Sequence, residues 1–100
     1  MNNMTATENY LQQIGFVGDI DNLDMILDFM HRKNIYIETR IQSAMTSLGA
    51  LHEYSARVYH IPHGQMDKDF ITETPNCADI TGVLRLSVLY AARYLANKQK

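Results

Sequence analysis

Leu23, Ile26, Leu27 and Met30 fall at i, i+3, i+4 and i+7, one apolar stripe, while Asp21, Asp24 and Asp28 line the opposite side. Acids lead this segment, and His31, Arg32 and Lys33 close it. That order complements a helix dipole at both ends, so the pattern predicts a helix over about 20–33 with Asn34 as a left-handed stop. Upstream, Thr5-Ala-Thr-Glu8 fits a capping box, and a first helix is predicted over roughly 6–14. Its apolar positions are Tyr10, Leu11 and Ile14, and Gly15-Phe-Val-Gly18 permits a turn after it.

From Ile35 to about His60, the residues Ile37, Ile41, Ala44, Leu48, Leu51, Ser55 and Val58 step by alternating fours and threes, the spacing of a heptad seam. The expectation is a long third helix, although Ile35-Tyr-Ile-Glu-Thr, β-branched and alternating, could instead open as a strand. Such a helix would run about 39 Å, more than the breadth of a 100-residue globule with a radius of gyration near 13 Å. Either Gly49 breaks it, or part of it packs on another chain. Ser47, Gly49 and Ala50 are small enough for close approach, and Ile41, Ala44, Leu48, Gly49 and Leu51 are the expected oligomer interface.

A long connection is expected at about 61–77, followed by a helix over 78–98, nearly apolar all round, that starts near Asn76 or Asp79 and ends among Lys98 and Lys100. Arg85 and Arg93 lie about 80° apart around its axis and mark its one wet side. Phe70 and Ile71 in the connection are expected to dock on the bundle or meet a partner, since leaving both exposed forgoes about 1.5–3 kcal/mol each. The predicted architecture is all-α: one domain over 1–100, a small four-helix bundle with two short N-terminal helices and a long antiparallel helical hairpin.

Composition narrows the function. Apolar content of 46% and charge of 20% are ordinary for a globule. A net charge of −2 with nine basic residues lacks the basic footprint of a nucleic-acid binder, so no direct nucleic-acid contact is expected. No apolar run reaches the ~20 residues of a membrane span, and no membrane association is expected. One cysteine, Cys77, cannot form an internal disulfide, and residues 1–8 have no signal-peptide pattern, so a cytoplasmic location is expected.

Candidate chemistry is thin. His60, His63, Asp67, Asp69 and Cys77 offer zinc ligand types, but without the paired spacing of zinc sites. Asp19-x-Asp21-x-x-Asp24 resembles part of a calcium loop, yet the sixth position holds Asp24 and the twelfth Met30 where Gly and Glu are needed. Cys77 with His60 or His63 would make a nucleophile pair only by coincidence of composition, and no phosphate loop or nucleophile elbow is present. Neither metal nor cofactor is expected. The expected function is that of a small non-enzymatic interaction protein, an inhibitor, adaptor or immunity-type chain of the sort phages and mobile elements encode, binding a macromolecular partner stoichiometrically. Its binding residues would include Phe70, Ile71 and His63. The alternative is an oligomeric binder of a small anionic or nucleotide ligand, held by Arg85 and Arg93 with Tyr90 and Tyr94. An enzyme of unknown class is the third possibility.

Overall fold

The computed structural model describes residues 5–64, 66 and 68–99. Asp67 and Lys100, named above, lie outside the described residues. Helices α2 (Leu23–Arg32) and α3 (Ile80–Lys98) pack on an antiparallel sheet of β1 (Ile35–Thr46), β2 (Gly49–His60) and β3 (Asp69–Glu73), and α1 (Ala6–Gln13) packs against α3. The fold is therefore a two-layer α/β arrangement and not the all-α four-helix bundle that the spacing suggested.

The helices form where their end signals lie. Thr5 caps α1 by accepting from the Glu8 amide at 3.2 Å, and its hydroxyl donates to the Glu8 carboxylate. Asn22 caps α2 through the Met25 amide, and Asn34 closes that helix with φ of 66°. Asp79 caps α3 through the Gly82 amide at 2.6 Å.

The correction falls on residues 35–60. In place of one long helix and a helical hairpin, β1 and β2 pair in unbroken register from Ile35↔His60 to Thr46↔Gly49. The seam residues divide between two faces: Ile37, Ile41 and Val58 face the helices' side, Ala44, Leu51 and Ser55 the other, and Leu48 sits in the turn. β-Branched and aromatic residues at Ile35, Tyr36, Ile37, Thr39, Ile41, Val58 and Tyr59 favour a pleated chain, and cross-strand pairing decides the outcome. The chain reverses at Ser47-Leu48. The Thr46 hydroxyl accepts from the Leu48 amide and donates to the Gly49 carbonyl, and Gly49 takes φ of 120°, a conformation that costs glycine little. The 61–77 connection is not one loop either, because β3 lies within it and pairs with β2 across a bulge at Val58/Tyr59.

Leu11, Ile14 and Phe16, Ile26 and Met30, Ile35 and Val58, and Val88, Ala91, Ala92 and Ala96 form the core between the layers. The small residues Ala91, Ala92 and Ala96 of α3 share this core with Val58 of β2. The buried Ser87 hydroxyl donates to the Val83 carbonyl at 2.8 Å, so it brings no unsatisfied group into this contact.

Candidate interaction surface

Only the inner half of the hairpin is covered. Beyond Thr39 the strands leave the helical layer, and Ile41 is 65%, Met45 83%, Leu48 98% and Leu51 52% exposed. Four large apolar side chains thus share one projecting element, an arrangement that marks binding surface more often than scattered single residues do.

No helix among the described residues packs on the opposite face of the sheet. Near its base Tyr36, Tyr59 and Phe70 occupy adjacent positions on the three strands, with the Tyr59 and Phe70 rings 5.8 Å apart edge to face and the Lys68 ammonium 5.1 Å from the Tyr59 ring. Next along the strands comes a charge row: Glu38 opposite Arg57, and Arg57 opposite Glu73, whose Oε1 accepts from Arg57 Nε at 3.5 Å. Arg40, two positions on, reaches back to Glu38 at 3.6 Å.

The residues singled out from sequence are placed as follows. Arg85 donates to the Ile20 and Asp21 carbonyls at 3.1 and 3.2 Å, tying the α1–α2 connection to α3. Arg93 stacks over Tyr90 at 5.1 Å. Tyr94 packs against His60, with ring centroids 5.5 Å apart, and its hydroxyl donates to Asp69 at 3.4 Å. Arg93 and Tyr90 pair with each other, while Arg85 and Tyr94 are engaged elsewhere, so the four do not converge on one site. Ile71 is half-buried against the core, whereas Phe70 is 57% exposed on Tyr59, and His63 is exposed. Ile41, Ala44, Leu48, Gly49 and Leu51 all lie on the outer half of the hairpin. The placement of Tyr36 and Met45 is carried in the sequence by the alternation Ile35, Ile37, Ile41, Met45 against Tyr36, Glu38, Arg40, Gln42, a two-residue period.

Among the described residues, His60 is a buried titratable side chain on the helices' side of the sheet. Its Nδ1 is buried without a hydrogen-bond partner. Burial, then the Lys98 charge, push its pKa below the usual imidazole value, and Asp69 opposes them. Cys77 is a half-buried free thiol whose backbone bridges Tyr54. Among the described residues no three His, Cys, Asp and Glu side chains converge to hold a metal ion. Between α1 and the 15–20 connection lies an open groove of about 670 Å³, lined by Glu8, Leu11, Phe16 and Val17 among others and offering no basic group. No family model, no curated protein and no solved structure matches the chain. No helix among the described residues is long and apolar enough to cross a membrane.

Proposed function

We propose that the chain is a small, non-enzymatic cytosolic interaction protein that binds a macromolecular partner stoichiometrically through the projecting half of its β1–β2 hairpin. The observation that carries this reading is the concentration of exposed Ile41, Met45, Leu48 and Leu51 on an arm that no helix among the described residues covers. Leaving them in water forgoes burial that a partner's surface would supply, at about 25 cal/mol per Å² of apolar area. A free thiol at Cys77 fits a reducing compartment. The ligand-sequestering alternative draws less support, because the guanidinium of Arg85 is already engaged by two backbone carbonyls.

The test is affinity capture from the native cell with the wild-type chain and with a Met45→Glu/Leu48→Glu variant of matching circular dichroism. Wild type should recover one partner in near-equal amount and the variant should lose it. Equal recovery by both chains would refute the reading.

A further inference from the structure

The two long edges of the hairpin differ. On the β2 side, β3 covers Arg57 to His60, and residues 74–77 continue along the strand: the Thr74 amide donates to the Ala56 carbonyl at 2.8 Å, and Tyr54 and Cys77 exchange two backbone bonds of 2.7 and 2.8 Å. On its outer side β1 has no partner strand among the described residues. Sheet edges are usually blunted by charged side chains, proline, bulges or short length. β1 has no lysine, proline or bulge and is not short. It is twelve residues long, its register with β2 is uninterrupted, and Glu38 and Arg40 are its only charges.

We infer that β1 pairs antiparallel with the β1 strand of a second copy about a two-fold axis at Thr39, so that two chains form one continuous six-stranded sheet. The charges select this register. Centring the pair on Thr39 sets Glu38 opposite the second copy's Arg40, and Arg40 opposite its Glu38. Centring on Glu38 or on Arg40 would set a like charge opposite itself, and a one-residue slip would exchange the two faces of the strand. The charge row Glu73, Arg57, Glu38 alternates in sign across one chain and ends on an acid at the free edge. In the dimer, Arg40 of the second copy continues the alternation. On the other face the same register sets the exposed Ile41 against the second copy's Ile37, which already lies half-buried on the core. The pairing uses Ile35 through Ser43. The tips with Met45 and Leu48 then point in opposite directions, outside the pairing, so self-association and partner capture are separable.

Sedimentation analysis across a concentration series reads the dimer directly. Arg40→Glu should weaken the dimer by about tenfold, since it creates two like-charge pairs per dimer, and Glu38→Arg/Arg40→Glu should restore it. A cross-link keeps the proposal testable should these charge variants fold poorly. Directly opposed residues in an antiparallel pair have Cα atoms about 4.5–5.5 Å apart, within disulfide range. In a Cys77→Ser background, Thr39→Cys should therefore form a disulfide-linked dimer under mild oxidation well before Leu48→Cys at the free tip. A wild-type chain that sediments as a monomer throughout, or Thr39→Cys cross-linking no faster than Leu48→Cys, would overturn the pairing. Capture through Met45 and Leu48 would stand or fall independently.

Discussion

Ile37 and Ile41 lie four residues apart on the same face of β1, the first half-buried against the core and the second 65% exposed. Between them the helical layer ends. The outer half of the hairpin is consequently held by backbone pairing and cross-strand neighbours alone, and its apolar side chains contribute little to the folded state.

Stability should divide at the same boundary. Val58→Ala, at a fully buried position, should cost about 1–3 kcal/mol through lost transfer energy and a cavity, whereas Leu48→Ser should change stability by less than about 0.5 kcal/mol. Urea unfolding at low protein concentration reads both.

Arg85 and Arg93 were equivalent by sequence position, yet they should behave differently. Arg85→Ala removes two charge-assisted bonds to the Ile20 and Asp21 carbonyls; these are exposed to water, so a loss of about 1 kcal/mol is expected. Arg93→Ala removes a stacking contact with Tyr90 at an exposed site and should cost less than Arg85→Ala in the same thermal melts.

His60 supplies a pH signature. Because its folded pKa lies below the ordinary value, the unfolded chain takes up this proton first as pH falls. Stability is therefore highest above the ordinary imidazole pKa of about 6.5 and declines as pH drops from there through the folded-state value. Wild type should lose stability between about pH 7.5 and 5.5, a range above most carboxylate titration, and His60→Leu should flatten that part of the curve. The replacement also removes the unpartnered Nδ1, so part of its packing loss is offset. An unchanged slope in His60→Leu would assign the effect to another group.

The three helices were legible because Thr5, Asn34 and Asp79 announce their ends, and the alternation of Leu23, Ile26, Leu27 and Met30 admits one period only. Residues 35–60 were not, because two periods coexist there. Ala44, Leu48 and Leu51 complete a 3.5-residue spacing by coincidence, and the reversal at Ser47-Leu48 lacks the Asn-Gly type of dipeptide that announces a hairpin. Gly49 read as a helix break or a point of close approach, and its positive φ instead closes the turn. β3 escaped notice because five residues inside a connection carrying both prolines show too little alternation. Ile41, Leu48 and Leu51 were singled out by their hydrophobicity on the wrong element. The aromatic row of Tyr36, Tyr59 and Phe70 depends on strand register, which the linear pattern does not specify.

Leu48 and Val17 offer the most direct comparison, because both are large, apolar and almost fully exposed, at 98% and 91%, and only Leu48 lies on the arm. A benzophenone-bearing amino acid placed at each position in turn, followed by irradiation of the native cells, reports what touches each site. The arm as binding element requires a discrete covalent adduct from position 48 and none from position 17. A discrete adduct from position 17 alone would contradict that account and move the binding surface to the groove beside α1.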